Sequence, residues 1–292
     1  MAHSNSITVR PIERADKHRL ANLLHFEKHV HTHLDWRSPS DWIGREPFLV
    51  LDSGGRLEAA IALPPDPPGV AWLRLFAVSS RFAVEDAWQL LWEAAEKNLK
   101  TEADIVIAIP IQSWTQSLLK ESGFEHTHDV VVLDWTPEYG LPENGNLPFR
   151  ENIRQMEAGD LKHIFEIDRK SFPSLWQNSH ESIQFAFGQA SHGTVIEKDG
   201  RICGYQLSTQ NPHGLHLARL AVDPEFQGQH MAIAMVEDLQ ETVSKLDGQR
   251  LTVNTQGVNK PSLALYKKAY FKTTDDNLPV FEKLLNQISK ES

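Results

Sequence analysis

Only one cysteine, Cys203, occurs in the 292 residues, which excludes an intramolecular disulfide and fits a reducing compartment. Long apolar runs are missing too. No stretch approaches the ~20 apolar residues of a membrane span, and the short polar opening, Met1 to Ser6, has no run of signal length behind it. A cytoplasmic protein, neither exported by a cleaved signal nor held in a membrane, is expected. Basic residues are outnumbered: 29 Lys and Arg against 39 Asp and Glu give a formal charge of -10. That balance argues against a sequence-independent grip on nucleic-acid phosphates and allows a cationic acceptor. Low-complexity sequence is also absent. With 40% hydrophobic and 23% charged residues, the chain has the composition of an ordinary globular protein, and its length accommodates one or two domains.

What the chain does contain is an internal repeat of low identity. Ile7-Thr8-Val9-Arg10 with Asp16 and Leu20 lies over Asn152-Ile153-Arg154 with Asp160 and Ile164. Val50 to Leu57 lies over Val195 to Ile202, each reading as a hairpin around a polar, Gly-containing turn. Leu75-Phe76-Ala77-Val78 matches Arg219-Leu220-Ala221-Val222, and Leu119 to Phe124 matches Tyr266 to Phe271. Each half therefore predicts strand, helix, hairpin, strand, helix, strand, helix, strand. Between them, residues 137–147 are rich in Pro, Gly and Asn without apolar periodicity, which predicts a first domain over 1–136, a linker over 137–147 and a second domain over 148–292.

In the second half, Leu215 to Val222 reads as a buried strand stopped by Asp223-Pro224, and a helix opens near Met231, with apolar positions at Ala234, Met235, Val236 and Leu239. A strand that turns onto a helix start offers unpaired backbone N–H groups and the positive end of a helix dipole, which suits a pyrophosphate.

These residues resemble the GNAT superfamily of N-acyltransferases, whose acyl-coenzyme A loop has the form Arg/Gln-x-x-Gly-x-Gly/Ala after a strand ending in Ala-Val-x-Pro. This chain has Ala221-Val222-Asp223-Pro224 and then Gln227-Gly228-Gln229-His230-Met231-Ala232, with His230 in place of a glycine. The resemblance continues through Asn259, Ser262 and Tyr266, with Tyr270 where the family has Gly before the final Phe271. It implies an α/β protein with mixed sheets, built as two tandem GNAT folds, that takes an acetyl or other short acyl group from acetyl-coenzyme A to an amine without a metal. By the same resemblance Leu220, Ala221, Val222, Gln227 to Ala232, Asn259 and Ser262 hold the coenzyme. Tyr266 protonates the leaving thiolate, and the strand histidine His216 is the candidate base for the amine. A non-catalytic acyl-coenzyme A-binding or scaffold protein is the alternative.

The aligned positions of the first half lack this chemistry: no glycine lies between Ser79 and Trp88, Glu85 and Asp86 fall where pyrophosphate would sit, and Leu119 replaces Tyr266. A degenerate first domain that shapes or shields the acceptor site is expected. Cys203, in an apolar run, reads as a buried thiol rather than a nucleophile. The His25, His29, His31, His33 cluster reads as a polar helix-to-loop segment rather than a metal site. Trp36, Trp42, Trp72, Trp88, Trp92, Trp114 and Trp135 suggest a first core packed around large rings.

Overall fold

A computed structural model describes residues 7–141, 149–245 and 249–285; residues 142–147 of the expected linker lie outside the described residues. In chain order the elements are β1 (Ile7–Pro11), α1 (Lys17–Phe26), β2 (His29–Thr32), β3 (Phe48–Ser53), β4 (Arg56–Ala62), β5 (Gly69–Trp72), β6 (Leu75–Val78), α2 (Val84–Leu99), β7 (Ala103–Ala108), α3 (Ser113–Glu121) and β8 (Glu125–Trp135). Then follow β9 (Ile153–Gln155), α4 (Leu161–Ser171), α5 (His180–Gln189), β10 (His192–Lys198), β11 (Arg201–Asn211), β12 (Gly214–Val222), α6 (Met231–Ser244), β13 (Arg250–Gln256), α7 (Lys260–Lys268) and β14 (Lys272–Leu284). The predicted order recurs in both halves, with β2 added and the strand before α2 divided into β5 and β6 in the first, and α5 added in the second.

The chain forms two compact units, and they are not its sequential halves. One comprises the described residues up to Thr127 together with those from Pro279; the other runs from His128 to Leu278. In the first, β1, β3, β4, β6 and β2 form an antiparallel sheet in that order, and β5 lies parallel to β7. Phe281 to Leu284 of β14 pair with Ile105 to Ala108 of β7. In the second, the order is β8-β13-β12-β11-β10-β9, with β12 and β13 parallel, and it is Val130 to Trp135 of β8 that pair with β13. The boundaries 1–136 and 148–292 therefore need correction at both ends. Apolar burial explains the shift: Leu133 and Trp135 are buried with Val253 and Tyr266, whereas Phe281 is buried with Trp88 and Leu119. The start of the expected linker is also tied down, since Trp135 Nε1 donates to the Gly140 carbonyl at 3.0 Å.

The repeat extends to individual side chains. Arg10 donates to Asp16 (2.7 Å) and Asp52 (2.6 Å), and Arg154 donates to Asp160 (2.8 Å) and Glu197 (2.6 Å). Each aspartate also takes the backbone N–H three residues before it, from Glu13 and Glu157, so one arginine ties the first strand, the helix start and the hairpin together in both units. The first core does pack around rings, with Trp88 and Trp92 stacked at 5.3 Å, although Trp135 belongs to the second. In the second unit, Gly214 opens β12 at φ +143°, where an added Cβ would lie 1.9 Å from the Arg250 carbonyl oxygen. Only glycine lets β12 and β13 start side by side there.

Candidate active site

The parallel pairing of β12 with β13 lasts from Gly214–Arg250 to Leu217–Val253, after which β13 pairs only with β8. Beyond Leu217, β12 stays attached to β11 alone, and the register jump between Leu207–Arg219 and Ser208–Leu217 puts a bulge at Ala218. The Asp223 N–H donates to the Cys203 carbonyl at 2.8 Å, which fixes the phase of the ladder: Ala221 and Asp223 turn their backbone groups to β11, Leu220 and Val222 turn theirs away. The Val222 carbonyl, on the open side, accepts from Gln227 Nε2 (3.0 Å) and Ser171 Oγ (3.1 Å). Among the described residues, the N–H groups of Leu220 and Val222 have no ladder partner. Of the three strand residues expected to hold the coenzyme, Ala221 is thus the one whose N–H faces the neighbouring strand.

The turn after β12 is built on Asp223, which is buried, accepts from the Glu225 N–H (3.1 Å), and is paired with Lys170 (3.0 Å) and Arg201 (3.3 Å). Gln227, Gly228 and Gln229 lead to His230, the N-cap of α6, with Gly228 at φ +77° and His230 at φ +65°. The first intrahelical bond runs from Ala234 to the His230 carbonyl (3.1 Å), so the N–H groups of Met231, Ala232 and Ile233 point out of the helix start. A cleft of about 240 Å³ opens there, lined by Val222, Phe226 to Gly228, His230 to Ile233, and by Leu265 and Lys268 of α7. Lys268 adds a cation to a lining that is otherwise largely apolar, at the positive end of the α6 dipole.

Asn259 caps α7, its Oδ1 accepting from the Ser262 N–H at 3.2 Å, which leaves its amide NH2 as a donor. Tyr266 lies two helix turns on, 5% exposed, against Phe271 (5.4 Å) and in one core cluster with Leu217, beside the half-buried Leu220. Burial pushes its phenol pKa up. His216 stands opposite Thr252 in the β12–β13 register, Nδ1 2.9 Å from Thr252 Oγ1, and burial lowers its pKa. Cys203 is fully buried, donates to the Arg201 carbonyl (3.2 Å), and has its pKa raised by burial.

Lys268 and a trio of Asp168, Tyr205 and Arg219, the first two fully buried, were not among the site residues expected from the sequence. Tyr205 Oη donates to Asp168 Oδ2 (2.5 Å), and Arg219 Nε donates to the same oxygen (2.8 Å). A signal existed for one of them: an arginine inside the apolar run Leu217-Ala218-Arg219-Leu220-Ala221 requires a buried partner.

The first unit differs where the second is open. Phe76 and Val78 align with Leu220 and Val222, and β2 pairs with them, His31 opposite Phe76 and His29 opposite Val78. The His33 N–H donates to the Arg74 carbonyl (3.0 Å), which puts His31–Phe76 and His29–Val78 in the hydrogen-bonded phase. The edge that is free in one unit is filled by the chain itself in the other. Gln112 and Trp114, at the start of α3, cover β2, with Gln112 Nε2 3.4 Å from the Val30 carbonyl and the Trp114 ring 5.2 Å from His29. This corrects the reading of the histidine cluster as helix-to-loop: antiparallel pairing with β6 makes His29–Thr32 a strand. Glu85 and Asp86 are exposed on the first turn of α2, where they complement its dipole.

The acetyltransferase (GNAT) family model matches residues 161–271. Over 119 residues the chain is 30% identical to a Bacillus subtilis (strain 168) protein assigned as a ribosomal protein bS18-alanine N-acetyltransferase, a match covering 40% of this chain and 77% of that one. Among solved structures, a tandem GNAT protein from the clavulanic acid biosynthesis pathway superposes with a TM-score of 0.65 at 13% identity, covering 96% of this chain and 99% of that one. A GCN5-related N-acetyltransferase from Sphaerobacter thermophilus gives 0.61 at 15% identity, covering 96% of each. The structural likenesses establish the fold, a tandem pair of GNAT copies. Matched by the family model across the helix start, the open strand and α7, and by the relative at 30% identity, the chain belongs to the acetyltransferase (GNAT) family, whose general chemistry is acyl transfer.

Proposed function

We propose that the second unit transfers an acetyl or similarly short acyl group from coenzyme A to a primary amine of a small molecule or peptide, by direct attack with both reactants bound. The observation that carries this reading is the unpartnered edge at Leu220 and Val222 beside the start of α6, in a unit whose counterpart has the same edge filled. Gln227 to Ala232 would take the pyrophosphate, the β12 edge and the Asn259 amide the pantetheine arm, and Ser262 the cap that holds Asn259 in place. The bound thioester supplies an activated acyl carbon and a thiolate leaving group. The Leu220 N–H donates to the oxyanion that develops on attack. Tyr266, whose raised pKa keeps it protonated at neutral pH, holds the proton that the sulfur takes. His216 stays neutral near pH 7 and accepts the proton of the amine. With Thr252 Oγ1 donating to the Leu215 carbonyl (3.5 Å), its Nδ1–H donates to Thr252 and Nε2 carries the lone pair. No metal enters this scheme, and the reaction is assigned to the cytoplasm.

Calorimetric titration of the full chain with acetyl-coenzyme A, followed by thiol release over a panel of primary amines (an alanyl peptide amide, tyramine, spermidine), tests the reading. One site is expected, and Tyr266→Phe should lower kcat by about 10²–10⁴-fold while binding is retained. Binding with no amine-dependent thiol release would instead support a non-catalytic acyl-coenzyme A-binding protein, the reading that a side chain at position 230 favours.

A further inference from the structure

We propose that Arg219 is a positioning residue that ties the loop between α4 and α5 to the reacting strand, and so sets the wall against which the amine binds. The proposal rests on the acyl-transfer reading of the second unit and adds a residue to it. β12 presents two faces. Leu215, Leu217 and Leu220 pack with Ile233 and Val236 of α6, on the side of the coenzyme cleft. Strand alternation, with the bulge at Ala218, puts His216 and Arg219 on the other face, and there Arg219 meets the end of α4. An amine that gives its proton to His216 arrives on that face.

Arg219 is anchored three ways: Nε to Asp168 Oδ2 (2.8 Å), Nη2 to the Trp176 carbonyl (2.7 Å), and its guanidinium over the Phe172 ring at 3.5 Å. Asp168, fully buried on α4, also takes the Asn178 N–H on Oδ1 (2.9 Å) and the Tyr205 hydroxyl on Oδ2 (2.5 Å). Phe172, Trp176 and Asn178 span the loop, so one buried ion pair fixes its two ends and its middle to the residue that follows the bulge. A guanidinium with a bidentate fork and a flat face suits this task, and an ammonium could fill only one of the three contacts. The pair is costly to break on one side, whereas replacing it whole by apolar groups together with Tyr205→Phe leaves no buried charge and no orphaned hydroxyl, which gives a way to loosen the loop without unfolding the unit.

The test uses the full chain in four forms: wild type, Tyr205→Phe, Arg219→Lys, and the triple replacement Asp168→Leu, Arg219→Met and Tyr205→Phe. Amide exchange of residues 172–179 should speed up at least tenfold in the triple variant and less in Tyr205→Phe, with β13 unchanged. With the amine that the wild type turns over best, KM should rise about tenfold, while kcat and the acetyl-coenzyme A Kd stay within twofold; Arg219→Lys should recover little of the KM. Unchanged exchange in the loop, or equal losses in KM and in acetyl-coenzyme A affinity, would overturn the proposal. If no amine is turned over by the wild type, the acyl-transfer reading fails, and with it the role in amine binding, while loop exchange still decides whether the tie exists.

Discussion

His230 and Tyr270 occupy two positions where the family pattern has glycine, and both have left-handed backbones, φ +65° and φ +63°. A side chain in that region costs about 1 kcal/mol, somewhat less for histidine. His230→Gly should therefore raise the unfolding midpoint by roughly 2 °C, consistent with about 1 kcal/mol in a chain of this size. It should also tighten acetyl-coenzyme A several-fold, because the backbone can then approach a phosphate closely. Weaker binding in that variant would mean instead that the imidazole donates to the ligand; calorimetry separates the two. As departures from a glycine pattern, both residues are legible in the sequence. Their shared conformation is not, because only the loop and the C-terminus of α7 impose it.

At the scale of the element, β2 has the largest consequences. His31 is fully buried, its Nε2 3.2 Å from the Leu73 carbonyl, and burial lowers its pKa to about 4. In the unfolded chain it titrates near 6.5, so between pH 6.5 and 4 the unfolded state holds a proton that the folded state refuses. Stability should be unaffected by His31 above pH 6.5 and fall by about 1.4 kcal/mol per pH unit below it, roughly 3 kcal/mol in all. Urea unfolding at pH 7.5, 5.5 and 4.5 checks this: His31→Val should flatten the slope by close to one proton, and an equal slope in both proteins would show that His31 does not carry the effect. The hairpins and helices flanking β2 follow from apolar period and turn residues, which is why they are readable in sequence. A strand spelled His-Val-His-Thr is not, since its burial is decided by the vacant edge of β6 and not by its own composition.

Across the whole molecule, the repeat, the strand-to-helix turn and the Asn259–Tyr266 helix are all visible in the residues, and the fold bears out the tandem architecture. The partition into units is not visible. The apolar runs Val130 to Leu133 in β8 and Val280-Phe281 in β14 announce strands, but a strand carries no mark of which sheet it joins. Phe281, 1% exposed and near His126 (5.6 Å), is buried in the first unit. Phe281→Ala should cost about 3–5 kcal/mol there. Hydrogen exchange should accelerate in β7 and not in β12, and acetyl-coenzyme A binding should survive; loss of protection in β12 instead would contradict the assignment of β14.

The pairing of Phe281 to Leu284 with β7 also bears on how the protein is made. Residues up to Thr127 leave the ribosome long before the segment that borders β7 exists, so the first unit emerges with that strand edge bare. During that interval the nascent chain presents an apolar strand edge to chaperones and to its neighbours. Its yield in a cell should therefore depend on the speed of elongation through residues 128–278.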